Sequence, residues 1–253
     1  MSEGELRDDL AGKVLTLTLD RPEKRNALGS GLVESLHQAL DRAEVDAEVR
    51  VVAIRGAGPD FCAGADLGEL LASADRALDE NERDARRLGD LFIRMRALPK
   101  PVVGVVQGRA LAGGAGLALA CDIAIAADDA QIGFPEIRRG FVPAMVMTLL
   151  RRAVPEKVAF DLAATGGTLG ASVAAELGLF TRVVPAGDLD RAAGDILTAL
   201  AEAPPTAMAL TKRLFYELDG TSFAQGIALG ARVNALARAT PEFRSAIGVF
   251  LDR

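Results

Sequence analysis

PVVGVVQ, from Pro101 to Gln107, is followed by LAGGAGLALACD, from Leu111 to Asp122, and then by IAIA, from Ile123 to Ala126. The first run is short, apolar and lacks helical periodicity, so it reads as a buried strand. The second reads as a glycine-rich turn that opens a helix running to Ala120. Asp122 to Ala126 reads as the next strand. A strand, a helix and a strand in immediate succession, all apolar, specify an α/β protein with a buried, largely parallel sheet and helices outside it.

The flanking sequence extends this pattern. Lys13 to Leu19 (KVLTLTL) alternates as a strand does, and Ser30 is a plausible cap for a helix carrying Leu32, Val33, Leu36 and Leu40. Arg50 to Arg55 (RVVAIR) is a short buried strand that runs into the turn Gly56-Ala57-Gly58-Pro59. Leu67 to Leu98 is rich in charge, with Leu88, Leu91, Phe92 and Met95 at helical spacing, and reads as an exposed helical excursion. Beyond Pro143 helices are expected over 144–152, 156–164, 171–177, 188–202, 205–218, 222–239 and 241–250, with one strand at Phe180 to Val184. Residues 1–200 are assigned to the core and 201–253 to a C-terminal helical region that sets in at Ala203-Pro204-Pro205.

Composition narrows the function classes. The chain has 253 residues, half of them hydrophobic, yet only 4% aromatic and without tryptophan, so Ala, Leu, Val and Ile must build the core. Its 29 basic and 35 acidic side chains give a net charge of −6 and form no basic stripe, which argues against nucleic acid as a partner. Cys62 and Cys121 are not a C-x-x-C pair, and the single histidine, His37, cannot complete a zinc site with them. They read as small core residues, His37 as a partly exposed structural one, and a reducing cytoplasm is the expected location. The acidic N-terminal stretch does not read as a targeting signal. Ala110 to Ala127 is nearly all apolar, but Asp122 lies inside it, and it reads as buried helix and strand rather than a membrane span.

Three segments could carry chemistry. Phe61 to Leu67 (FCAGADL) leaves the backbone around Ala63, Gly64 and Ala65 uncovered, although a tight turn against a helix has the same composition. In LAGGAGLALACD, Gly113, Gly114 and Gly116 open a helix whose first amides could face an anion, or pack closely. Phe134 to Pro143 (FPEIRRGFVP) sets Glu136 among apolar neighbours, where a carboxyl would gain the raised pKa of an acid–base catalyst. The alternative is a surface glutamate paired with Arg138 or Arg139. Asp122 reads as a structural hydrogen-bonding residue. One histidine and no nearby serine motif argue against a Ser-His-Asp hydrolase.

In order and spacing these segments resemble the enoyl-CoA hydratase/isomerase, or crotonase, family. Further matches are Asp20 to Leu28 (DRPEKRNAL), Lys100 to Gly108 (KPVVGVVQG), Thr165 to Pro185 (TGGTLGASVAAELGLFTRVVP) and Ala203 to Arg213 (APPTAMALTKR). The resemblance covers nearly the whole chain. It implies a spiral core of repeated ββα turns, a C-terminal helical region mediating trimer contacts, often as a dimer of trimers, and an acyl-CoA thioester substrate. By motif position it implies the Ala65 and Gly113 amides as an oxyanion hole. Arg25, Ala27, Ala63, Asp66 and Leu67 fall where the family grips coenzyme A, largely through backbone, and Gly116 and Pro135 are further substrate-binding positions. No metal, no separate cofactor and no membrane are implied.

One position departs from the family pattern. Family hydratases hold their water with two glutamates. The second corresponds to Glu136, but the first falls on Gly116. Family isomerases work with the single glutamate. The expected reaction is therefore double-bond isomerisation of an unsaturated acyl-CoA through an enolate. Hydration of a 2-enoyl-CoA is the alternative, with Asp66, Glu69 or Glu80 as candidate second acids. A thioester-binding or RNA-associated member with little catalysis is a third reading.

Overall fold

The computed structural model describes residues 5–251. A two-residue turn at Gly12 and Lys13, both at positive φ, joins β1 (Leu6–Ala11) and β2 (Val14–Leu19) into an antiparallel hairpin. The chain continues through α1 (Ser30–Val45), β3 (Val51–Gly56), α2 (Leu67–Ala72), α3 (Leu78–Ala97), β4 (Val102–Val106), β5 (Arg109–Leu111) and α4 (Gly113–Ala120). Then come β6 (Ile123–Ala127), β7 (Gln131–Gly133), α5 (Ala144–Ala153), α6 (Glu156–Thr165), β8 (Thr168–Gly170), α7 (Ala171–Glu176) and β9 (Arg182–Val184). Four helices finish it: α8 (Leu189–Glu202), α9 (Pro205–Glu217), α10 (Phe223–Arg238) and α11 (Pro241–Leu251).

A six-stranded sheet has the order β1-β2-β3-β4-β6-β9 and is parallel from β2 onward. All five residues of β4 are buried, as expected for a strand covered on both faces. A second sheet of order β5-β7-β8 stands beside it, with β5 and β7 parallel. The two sheets are wound together. β4 leads to β5 and then to α4, and β6 leads to β7 and then to α5. β3 leads to Cys62, which bridges in parallel to Ala110 of β5, and then to α2 and α3. Two coils of the chain thus add one strand to each sheet and then a helix, and the coil after β3 adds a single bridge in place of the second strand.

The long strands and the helices fall where the pattern placed them. The structure adds β1, β5, β7 and β8. β1 lies at a sheet edge with five of six residues exposed, so it has no apolar alternation to read. The other three have three residues each, shorter than a period can show. The excursion is two helices, and only Leu91, Phe92 and Met95 of α3 are buried. His37 departs from expectation. It is 7% exposed, with Nε2 2.9 Å from the Arg87 carbonyl, because α3 packs over α1.

The C-terminal helices are tied to the core at Asp122. Its carboxylate accepts from the Val102 N–H (2.6 Å) and the Tyr216 hydroxyl (2.7 Å), and pairs with Lys212 Nζ (2.7 Å). Lys212 is 6% exposed and also donates to the carbonyls of Met95 and Lys100. The pair thus sits among filled partners, as a buried charge requires. Lys212→Ala is expected to cost about 3–5 kcal/mol, the usual effect of removing one member of a buried pair. The midpoint of denaturant unfolding measures it, and an unchanged midpoint contradicts the role.

Candidate active site

Three segments run side by side in the second sheet: Cys62, β5 and β7. Cys62 bridges to Ala110, and Ala110 pairs with Ile132, all in parallel. Parallel segments end at the same edge. The chain therefore delivers Ala63-Gly64-Ala65, Ala112-Gly113 and Phe134-Pro135-Glu136 to one place. Hydrogen bonds fix the register: Leu111 N–H to Cys62 O (2.9 Å) and Ala112 N–H to Gly133 O (2.8 Å). An open edge beyond the carboxyl ends of parallel strands is where α/β proteins usually bind ligands.

Two amides are left over at this edge. Ala65 bridges in parallel to Leu28, and that bridge uses its neighbours, with Leu28 N–H donating to Gly64 O (2.7 Å) and Asp66 N–H to Leu28 O (3.1 Å). The Ala65 N–H thus points away from Leu28, and among the described residues no hydrogen-bond acceptor meets it. Gly113 is the first residue of α4, so its N–H has no partner within the helix. Ala112 turns the chain into that helix at φ 51°, a costly conformation for a residue with a Cβ. A Cβ placed on Gly113 would lie 3.7 Å from the Ala65 nitrogen, so the two amides are neighbours. Gly64 makes this approach possible. Its φ is 99°, and a Cβ there would lie 2.8 Å from both the Ala112 Cβ and the Leu111 oxygen.

Glu136 lies in the 3-10 helix Pro135–Arg139 and is 7% exposed. Its Oε2 is buried without a hydrogen-bond partner. Burial raises its pKa above the ordinary 4.5, while its own N–H and the Arg139 charge pull weakly the other way. The surface ion-pair alternative is not what forms. Arg138 donates to the Thr165 carbonyl (3.2 Å) and Arg139 to the Pro135 carbonyl (3.5 Å). Two uncommitted amides and an uncommitted, desolvated carboxyl are what enolate chemistry asks of a protein.

Of the remaining candidates, Arg25, Ala27 and Ala63 adjoin, with Ala63 N–H donating to Arg25 O (2.9 Å) and Arg25 itself exposed at φ 53°. Leu67 is exposed at the start of α2, and Pro135 precedes Glu136. The Asp66 side chain is committed elsewhere, which argues against it as a second acid. Its carboxylate pairs with Arg21 (3.0 Å) and Lys24 (3.2 Å) and caps α2 through the Gly68 N–H (3.0 Å). Burial alone would raise this carboxyl, but Lys24, the Gly68 N–H and Arg21 outweigh it and hold it low. Glu69 accepts from the Ser30 N–H (2.8 Å), capping α1, and Glu80 from the Ala77 N–H (3.3 Å). All three candidate second acids are thus engaged in holding helix ends. Both cysteines are buried, and burial pushes the Cys62 thiol up to about 12, so it is no nucleophile at neutral pH. Among the described residues no three metal-binding side chains cluster, and no helix is long and apolar enough to cross a membrane.

The space beside Gly116 is occupied. A Cβ there would lie 2.8 Å from Phe92 Cζ and 2.9 Å from Val146 Cγ2. Sequence reasoning did not find these two residues. The helical spacing of Leu88, Leu91, Phe92 and Met95 was visible, but nothing in it says which helix they meet.

The family model for enoyl-CoA hydratase/isomerase matches residues 9–253. The chain belongs to this family. A Thermus thermophilus protein carrying an enoyl-CoA hydratase name is 41% identical, over 96% of this chain and 96% of that one. The 2,3-dehydroadipyl-CoA hydratase of Escherichia coli is 32% identical, over 95% and 93%. The crystal structure of an enoyl-CoA hydratase from Mycobacterium smegmatis superposes with a TM-score of 0.95 at 32% identity, over 99% of this chain and 97% of that one. The fold is that of the crotonase family, and the protein is an enzyme acting in the chemistry of enoyl-CoA thioesters.

Because Gly64 lets the two loops meet, Gly64→Ala is expected to push the Ala65 and Gly113 amides apart. A displacement of about 1 Å should cost roughly 10²-fold in kcat/KM. Steady-state kinetics on an enoyl-CoA, beside a coenzyme A binding titration, measure it. An unchanged kcat/KM contradicts the geometry.

Proposed function

We propose that the enzyme isomerises the double bond of an unsaturated acyl-CoA, with Glu136 as its one proton carrier. The thioester oxygen of a 3-enoyl-CoA accepts from the Ala65 and Gly113 amides. Glu136 takes a proton from C2, and the electron pair spreads into a dienolate whose charge rests largely on that oxygen. The protonated Glu136 then delivers the same proton to C4. The carbonyl re-forms, the double bond now lies between C2 and C3, and the carboxylate is restored. Donors aimed at the developing oxyanion are worth on the order of 3–4 kcal/mol each, and the proton carrier about 10²–10⁴-fold. Neither step draws on a separate cofactor.

The observation that carries this reading is the packing at Gly116. Hydration needs a second group to hold and activate water, and Phe92 and Val146 crowd the point where a side chain at residue 116 would begin. The hydratase names of the relatives favour hydration instead, so the test measures both reactions. We further propose a homotrimer or dimer of trimers in the cytoplasm. Exposed apolar side chains on the C-terminal helices, among them Phe215, Phe223, Ile227 and Phe250, support the assembly.

The wild type is expected to convert a 3-enoyl-CoA to the 2-enoyl isomer faster than it hydrates crotonyl-CoA. Glu136→Gln should lower isomerisation about 10²–10⁴-fold. Faster hydration, or isomerisation intact in the variant, contradicts the proposal. The pH dependence has a definite sign. Glu136 must be deprotonated to act as base, so the acidic limb of kcat/KM should lie above pH 4.5 and vanish in the variant. A carboxyl raised on folding costs stability once pH exceeds its unfolded value. Glu136→Gln should therefore be the more stable protein at pH 7, by a margin that shrinks as pH falls through the glutamate range. Thermal melts across pH check it.

A further inference from the structure

α3 and α4 face each other with complementary surfaces. Gly113 and Gly116 are three residues apart and share one face of α4, while Leu88 and Phe92 are four apart and share one face of α3. Leu88 Cδ2 lies 3.7 Å from the Cβ position of Gly113, and Phe92 Cζ 2.8 Å from that of Gly116. Val146 of α5 closes the same spot at 2.9 Å. Phe92 is 4% and Val146 3% exposed, so both are solid parts of the wall. The wall continues from the two uncommitted amides, and the side chains nearest these two positions, Leu28, Leu88, Phe92 and Val146, are all hydrocarbon.

We propose that Phe92 and Val146 set the reaction specificity of the site, by filling with hydrocarbon the volume in which a second acid and its water would stand. The inference rests on Glu136 as the proton carrier and adds what the rest of the site must do for one carrier to suffice. A dienolate beside a water would gain a solvent proton or be bypassed by addition of water across C2 and C3. With that volume dry, the proton taken from C2 has Glu136 as its only holder, and C4 as its destination. Three small features act together: a glycine that leaves no acid, a ring that takes its place, and a branched side chain that leaves no gap. Phe92 and Val146 touch no reacting proton; they position the chemistry by excluding an alternative.

Two measurements test this. In D2O the wild type should convert a protiated 3-enoyl-CoA to product that keeps mostly its own hydrogen. Phe92→Ala should raise deuterium incorporation at C4 about fivefold or more per turnover, since truncation frees more than the ~30 Å³ a water needs. Phe92→Leu, which keeps the volume largely filled, should stay near the wild type. Equal incorporation in Phe92→Ala and wild type, in protein with an unaltered circular dichroism spectrum, overturns the proposal. The second measurement is hydration of crotonyl-CoA. Gly116→Glu alone should stay inactive because its side chain has no room. Adding Phe92→Ala and Val146→Ala should raise hydration at least about tenfold, the scale of one positioned proton-transfer group at its weakest. If Gly116→Glu alone hydrates as well as the triple variant, the wall is irrelevant. The hydration comparison does not use the isomerase assay. Should the wild type prove unable to isomerise, the reading of the function falls, while this comparison still decides the role of the wall.

Discussion

Everything at the candidate site depends on two backbone hydrogen bonds that tie three parallel chain ends together. Leu111 donates to Cys62 and Ala112 donates to Gly133. Three residues beyond Cys62 stands Ala65, three beyond Ala110 stands Gly113, and four beyond Ile132 stands Glu136. Residues more than 70 positions apart in the chain are thus set beside one another by a register rather than by any contact between side chains. The constraint also explains why the second sheet is so small. Its strands need only be long enough to fix which residue leaves the edge first. The larger sheet supplies the burial that holds this arrangement in place.

The site is built against the grain of stability. Ala112 is held at a positive φ, Oε2 of Glu136 is buried without a partner, and two amides are left without an acceptor. Each is unfavourable alone, and on the proposed reading each serves a bound thioester. Compensation comes from elsewhere in the fold. Asp66 draws Arg21 and Lys24 to the start of α2, and Glu69 closes the start of α1. Asp122 anchors α9 through Lys212 and Tyr216. These carboxylates have partners, in contrast to Oε2 of Glu136. Hydrogen-bond partners, and for Asp66 and Asp122 the cations beside them, separate the structural acids from the candidate catalyst.

The sequence made the core strands legible because burial on both faces leaves an unbroken apolar run, as in Val102 to Val106. Glu136 was legible for a related reason, since Phe134, Pro135 and Ile137 announce a desolvated carboxyl. The three-residue strands were not legible, because no period fits into them. The partners of the Asp66 side chain were not legible, because its position in the motif carries no trace of them; Arg21 lies 45 residues away. Phe92 and Val146 lay beyond reach for the same cause. Periodicity tells which face of a helix is apolar, but the identity of the helix it meets is a property of the fold.

Membership in a family that includes hydratases constrains the substrate and the enolate more than the outcome. A shared fold carries the thioester-facing edge, whereas the fate of the enolate is decided by what stands around it. Gly116 by itself is ambiguous, for a glycine can leave a hole that water enters, and a water held by backbone can replace a lost acid. Packing bears on that ambiguity. At Gly116 the Phe92 ring and a Val146 methyl stand where a side chain would begin, which favours the reading without a held water. On the proposed reading, the glycine at 116 and the ring packed at its position lie on separate helices, and together they leave one carboxyl in charge of the proton. On the proposed reading, a hydrocarbon wall beside the amides also strengthens their hold on a developing negative charge, since it keeps competing water away. The same two side chains would then withhold one reaction and favour the other.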